Sequence, residues 1–170
     1  MKAILINLPK LIAMVKELQS RQIESLLERE SVGRLACHYD GETYLLPISY
    51  VYDNNYIYCL SREGKKINIM RKNPKVAFEV DDIRDISNWQ SVVVRGSFEE
   101  VLGKEERVLV LHKLLSRFQP ILSTIRAELG NDWPFCDDKD DHSGIIMFRI
   151  AIREKTGRFD SEYQPDSLIG

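Results

Sequence analysis

Apolar and polar positions along this chain change period several times, and the changes divide it into elements. Leu11, Ile12, Met14 and Val15 recur at helical spacing and predict an amphipathic helix over residues 9–18, with Pro9 in its first turn. Ile23, Leu26 and Leu27 predict a second helix over 21–30, with Ser20 as its N-cap. From Val32 the period shortens to two. Strands are expected at 32–39, 43–52, 56–60, 75–80 and 89–101. Asp40-Gly41 is a two-residue hairpin turn, because glycine accepts positive φ, and Asp53-Asn54-Asn55 makes the next reversal. A short helix over 65–71 is ended by Asn73-Pro74. Two residues interrupt the strands in informative ways. Pro47 cannot donate to a ladder, so its side of the strand should be an edge or should face something other than a strand, a ligand being one candidate. Gly96 marks a bend or bulge. Between Gly103 and Leu129 the period is helical again, with Val108, Leu111, Leu114, Leu115 and Phe118 on one face and Pro120 separating a second helix. Ile145 to Ile152 is the last strong strand.

Short hairpin-linked strands at regular spacing suggest a mainly β barrel with added helices rather than a parallel sheet. The 170 residues suit one domain over 1–170, with an N-terminal helical segment at 9–30 and a helical insertion at 103–129.

Composition narrows the function classes. A hydrophobic share of 44% beside 29% charged residues is that of an ordinary soluble protein. A net charge of −2 gives no general case for nucleic acid, so any basic function must be local. The apolar N-terminal run, broken by Asn7, Pro9 and Lys10, is too short to span a membrane; packing on the domain or a partner subunit is its expected role, with anchoring at a membrane surface as the alternative. Cys37, Cys59 and Cys136 are odd in number and in no CxxC spacing, which argues against a disulfide framework or structural zinc and fits a reducing, cytoplasmic setting. His38, His112 and His142 have no metal-ligand spacing, and the run Asp137–His142 reads as a solvated loop. No Ser-His-Asp triad, P-loop or dinucleotide-binding glycine fingerprint is present.

The local basic feature is Ser61-Arg62-Glu63-Gly64-Lys65-Lys66. It puts two lysines beside a glycine where a strand ends and a helix starts, and there the first backbone N–H groups and the helix dipole both favour an anion. That arrangement is a phosphate seat.

Six ordered segments carry a resemblance. Gly33-Arg34-Leu35-Ala36, the Asp40-Gly41 hairpin, Pro47 to Tyr52, Glu63-Gly64-Lys65-Lys66, Asn73 to Val80 and Trp89 to Gly96 are similar in order and spacing to the pyridoxamine 5′-phosphate oxidase-like flavin-binding split-barrel family. Its nitroimidazole-resistance-type branch looks closest. The match covers roughly residues 20 to 102, with the strand from Ile145 to Gly157 as weaker support.

The resemblance implies a six-stranded antiparallel split β-barrel working as a homodimer, with FMN in clefts between the subunits. It places Lys66 on the FMN phosphate, with Lys65 and Ser61 in the same pocket. Ile48 and Ser49, flanked by Pro47 and Tyr50, fall on the strand that lines the flavin ring, and Trp89 and Ser91 approach flavin from the second subunit. The implied activity is reduction of a small molecule of nitro, quinone or flavin type. The alternative is a non-catalytic protein that holds flavin or haem for storage or sensing. Two departures matter. Cys59 stands where nitroimidazole-reductase-like members carry a histidine, and Leu46 and Val51 replace the arginine and lysine of the vitamin B6 oxidases. Neither of those two specific activities is therefore expected.

Overall fold

The computed structural model describes residues 15–129 and 145–160. The chain runs β1 (Lys16–Glu17), α1 (Ser20–Arg29), β2 (Val32–Tyr39), β3 (Glu42–Asp53), β4 (Tyr56–Arg62), α2 (Lys65–Lys72), β5 (Lys75–Asp85), β6 (Asn88–Glu100), α3 (Lys104–Leu129) and β7 (Ile145–Phe159).

Six strands pair in the order β7-β4-β3-β2-β5-β6, and β6 pairs back onto β7, so the sheet closes into an antiparallel barrel. Closure removes most of the sheet edges that would otherwise attract another chain. The predicted barrel is therefore present, with the two-residue β1 as an addition beside β7. The β2–β3 hairpin turns at Asp40 (φ 51°) and Gly41 (φ 77°), the conformation that a two-residue loop demands. At Gly96 the β6–β7 register shifts, and an added Cβ there would lie 2.5 Å from Ile150 Cγ2 and 2.6 Å from the Ala151 carbonyl oxygen. Only glycine fits where the two backbones approach so closely.

Alternate residues of each strand fill the barrel. Leu35, Tyr50, Phe78, Val80, Val92, Val94, Phe148 and Ile150 are all fully buried, and Tyr50 meets Phe78 edge-on at 5.0 Å. Each mouth is plugged by a short helix: α1 inserts Leu26 and Leu27, α2 inserts Ile67 and Met70. α3 covers part of the outside, where Val110 and Leu114 pack on Val51, Tyr58, Val101 and Met147.

Four expectations are corrected. Residues 15–17 are not helical, because Lys16 and Glu17 extend beside Phe159 and Arg158 while the Leu18 N–H bonds the Gly157 carbonyl at 3.0 Å and its side chain enters the core. The earlier part of that segment lies outside the described residues. Gln19 rather than Ser20 is the N-cap of α1, and its N–H is held by Gln22 Oε1 at 2.8 Å. Pro120 does not divide α3, which runs without interruption from Lys104 to Leu129. β5 and β7 extend to Asp85 and Phe159, through polar residues that register with β6 holds in place.

Candidate functional site

β4 ends at Arg62, and Glu63-Gly64 lead into α2. No side chain caps this helix. Its first i to i−4 bond, from the Asn68 N–H to the Gly64 carbonyl, measures 3.1 Å, which leaves the N–H groups of Lys65, Lys66 and Ile67 ahead of the helical ladder. A Cβ added at Gly64 would meet nothing within 4 Å, so nothing packs on the side-chain position of this loop glycine. Arg71, from the last turn of α2, braces the approach by bonding Glu63 and Glu100, both at 2.6 Å.

The two lysines diverge, as neighbours about 100° apart on a helix must. Lys65 is exposed, paired with Glu42 and 5.4 Å from the Tyr44 ring centroid. That carboxylate raises its pKa, chiefly through the hydrogen bond. Lys66 is half-buried and has no hydrogen-bond or ion-pair partner among the described residues. Its charge acts on both core thiols: burial pushes Cys37 and Cys59 up, and Lys66 draws them partly back. A half-buried ammonium of this kind keeps its charged head towards water and is free to meet an incoming anion. Ser61, two residues before the loop, donates to the Arg62 carbonyl at 2.7 Å and keeps its acceptor capacity.

Beside this mouth runs an open strand edge. β4 pairs with β3 only from Tyr50 to Asp53, so residues 42–49 of β3 have β2 on one side and no strand on the other. The Tyr50 N–H bonds the Ser31 carbonyl at 3.2 Å across β2, and by alternation Ile48 also turns its backbone towards β2. Leu45, Pro47 and Ser49 then face the open edge. Pro47, opposite Arg34 in a non-hydrogen-bonded pair, costs the ladder nothing, and its predicted edge position is observed. The side chains of Ile48 and Tyr50, by contrast, point into the core. The Tyr50 hydroxyl donates to the Leu27 carbonyl at 2.8 Å, and burial raises its pKa well above the usual phenolic value. Of the four residues expected on the ring-lining strand, Ile48 and Tyr50 turn their side chains into the core, while Pro47 and Ser49 lie on the accessible edge.

Trp89 and Ser91 are not brought to this place within one chain. They lie at the α1 mouth; Trp89 is eight positions from Ser97, which sits opposite Lys75 just after α2, a separation of roughly 25 Å along the strand. Ser91 donates to Glu79 at 3.1 Å, and Arg34 bridges Glu79 and Asp81 at 2.9 and 2.7 Å. Together with Pro47 these groups form one polar strip on the outer face of β3, β2, β5 and β6.

Sequence reasoning missed Glu42, Arg71 and Glu100, whose contacts span 23, 8 and 29 positions and leave no periodic signal. Among the described residues no group of three His, Cys, Asp or Glu side chains could hold a metal. His38 is exposed on Thr43 and His112 is exposed on α3, while His142 and Cys136 lie outside the described residues.

A closed six-stranded barrel with two helical plugs, one uncapped beside an open strand edge, defines a small split-barrel protein. The profile described as pyridoxamine 5′-phosphate oxidase matches residues 19–159, and the chain belongs to that family. It is 34% identical over 151 residues to an uncharacterized protein of Rhizobium meliloti, covering 85% of this chain and 94% of the relative. Among solved structures, an FAD-binding protein of Mesorhizobium loti is 32% identical with a TM-score of 0.68, covering 87% of this chain and 99% of that one. A Bacteroides thetaiotaomicron protein named as a candidate 5-nitroimidazole antibiotic resistance protein shares the fold at 18% identity and TM-score 0.62, covering 85% and 88%.

Proposed function

We propose that this chain is a flavoprotein that holds an FMN unit, phosphate at the α2 N-terminus and ring along the open edge of β3. The observation that carries the reading is Lys66, a half-buried cation without a partner beside an uncapped helix start. Three backbone N–H groups and one ammonium offer charge-assisted hydrogen bonds to a phosphate, each worth roughly 1.5–3 kcal/mol. Leu45 and Pro47 give apolar contact to a flat ring, and the outward backbone groups of Ser49 meet its polar rim. The FAD-binding relative supports a flavin, since FAD contains the same unit.

The site lies between two copies in this reading. Trp89 and Ser91 reach the flavin only from a second chain, and Val32, Leu45 and Ile83, exposed by 55%, 64% and 66% on the outer face, supply apolar surface for a homodimer. The free thiols of Cys37 and Cys59 support a reducing, cytoplasmic setting, and no described helix is long and apolar enough to cross a membrane.

A bound flavin would supply hydride or electron transfer, and the protein's part is to orient it and limit access. The favoured activity is reduction of a small nitro, quinone or flavin-type molecule. A non-catalytic holder is the second reading; it is favoured by the absence of any histidine or reactive thiol lining the mouth among the described residues, since both cysteines there are buried with raised pKa values. Purified protein carrying the visible bands of flavin supports both readings. Bleaching by NADH or NADPH, with the colour restored when an acceptor is added, supports the enzyme, and colourless protein that takes up no added FMN defeats both.

A further inference from the structure

The carboxylate closest in sequence to the phosphate seat is Glu63, one residue before Gly64, the N-cap of α2. The first N–H groups of a helix and its dipole ordinarily draw a neighbouring carboxylate onto the helix start. Glu63 is drawn elsewhere. Its Oε1 accepts from Arg71 Nη1 at 2.6 Å, and no side chain caps α2. Arg71 belongs to the last turn of α2 and is fixed by a second bond, from Nε to Glu100 Oε1, also at 2.6 Å. Glu100 is half-buried at the end of β6, in register with Phe148 of β7. A planar guanidinium that donates from two nitrogens to two carboxylates cannot turn after one of them without losing the other. The barrel wall therefore holds Arg71, and Arg71 holds Glu63.

We infer that Arg71 is a positioning residue for the anion seat: it tethers the Glu63 carboxylate to the flank of α2 and so keeps it from taking the place of the ligand's phosphate at the helix start. The inference rests on the flavin reading above and says how its phosphate seat stays open. Without the tether, Glu63 is free to accept from the N–H groups of Lys65 and Lys66 and to pair with the Lys66 ammonium, the same donors that are offered to phosphate. A carboxylate one residue from the seat is an intramolecular competitor, with an effective concentration on the order of millimolar. An incoming phosphate would have to displace it. The tether itself contributes little to folding, because Arg71 and Glu63 are both exposed and water screens the pair. Its effect falls on binding. The same pairing accounts for an acidic residue beside a seat for an anion, since Glu63 held by Arg71 brings no net charge to the approach.

The test is a titration of flavin-free protein with FMN and riboflavin, followed by flavin fluorescence, on the wild type, Arg71→Ala and two double variants that restore its net charge, Arg71→Ala with Glu63→Gln and Arg71→Ala with Glu100→Gln. Arg71→Ala should weaken FMN by roughly threefold to tenfold and leave riboflavin, which has no phosphate, unchanged. Adding Glu63→Gln should return FMN affinity to the wild-type level, because the competing carboxylate is gone. Adding Glu100→Gln should not, because Glu63 is still loose. Unaltered FMN affinity in Arg71→Ala would overturn the inference. So would equal rescue by the two double variants, which would mark a general effect of charge, or a parallel loss of riboflavin, which would mark a structural role. Wild-type protein that binds FMN no more tightly than riboflavin removes the phosphate seat itself, and this inference with it.

Discussion

The two mouths of the barrel are built from similar parts and finished differently. At the α1 mouth the apolar plug of Leu26 and Leu27 is accompanied by polar groups that bond one another. The Tyr50 hydroxyl holds the Leu27 carbonyl, Lys155 joins Glu24 and Tyr52, and Arg117 from α3 caps the Glu28 carbonyl at 2.6 Å. At the α2 mouth Ile67 and Met70 are just as buried, yet the helix start is uncapped and Lys66 is unpaired. Apolar burial stabilises both plugs to a similar degree. The α1 mouth also holds an unpartnered donor, the buried Arg117 Nε, whereas at the α2 mouth the free donors are the first N–H groups of the helix and a half-buried ammonium, which a ligand can reach. Function at this barrel is therefore marked by unsatisfied donors that remain accessible.

The contrast makes α1 changes act on stability and α2 changes on binding. Leu27→Ala removes a fully buried side chain and is expected to cost about 2–5 kcal/mol in urea unfolding, with ligand affinity unchanged under conditions where the variant is folded. Lys66→Ala should do the reverse. It weakens FMN by roughly tenfold to a hundredfold, or about 1.5–3 kcal/mol, while flavin-free unfolding shifts by less than about 0.5 kcal/mol. Riboflavin, which lacks the phosphate, should bind the variant as it binds the wild type. An equal loss for riboflavin would move the phosphate away from Lys66.

Sequence carried the parts of this contrast that depend on local chemistry. The Asp40-Gly41 turn, the Gly96 irregularity, the edge position of Pro47 and the helix start after Gly64 follow from what single residues permit, and each is where the pattern puts it. The parts that depend on which strands meet were not legible. That Trp89 and Ser91 stand at the mouth opposite Lys66 follows from the order β3-β2-β5-β6, which no periodicity encodes. Tyr50 reads equally well as ring contact or core until alternation is anchored by its bond to Leu27. The polar stretch Arg153 to Arg158 is a strand because β6 pairs with it, not because of its own pattern. One signal was available and unused: consecutive helical residues point about 100° apart, so Lys65 and Lys66 leave the helix in different directions.

The closed mouth also predicts an alkaline weakness. Tyr50 and Tyr52 have pKa values raised above 10.0 in the folded state, mainly by burial, so the native protein keeps protons that the unfolded chain releases. Their stabilisation is complete below pH about 10 and falls as pH rises beyond it, by up to about 1.4 kcal/mol per pH unit for Tyr50 and by less for the more exposed Tyr52. Cys59, raised from 9.0 by full burial, starts the same decline a unit earlier. Tyr50→Phe should lose about 1 kcal/mol at pH 7, with its hydroxyl bond gone, and show a shallower decline between pH 10 and 11 than the wild type. A decline as steep as that of the wild type would mean that the Tyr50 proton is not held in the folded state.

The smallest effect tests the division of labour between the two lysines. Glu42→Gln removes the carboxylate that holds Lys65 but keeps a side chain of the same size. Because the pair is exposed on both sides, thermal unfolding should not change measurably. Lys65, released, is free to swing towards the start of α2, and the nearest negative charge to an incoming phosphate is gone. Both changes favour the anion, so FMN affinity should rise, by less than about threefold given how strongly water screens exposed charges, and the gain should shrink as salt is raised. Riboflavin affinity should not follow. If Glu42→Gln instead weakens FMN, Glu42 is holding Lys65 in the position the phosphate needs, and the pair, rather than Lys66 alone, is the cation that makes this mouth a binding site.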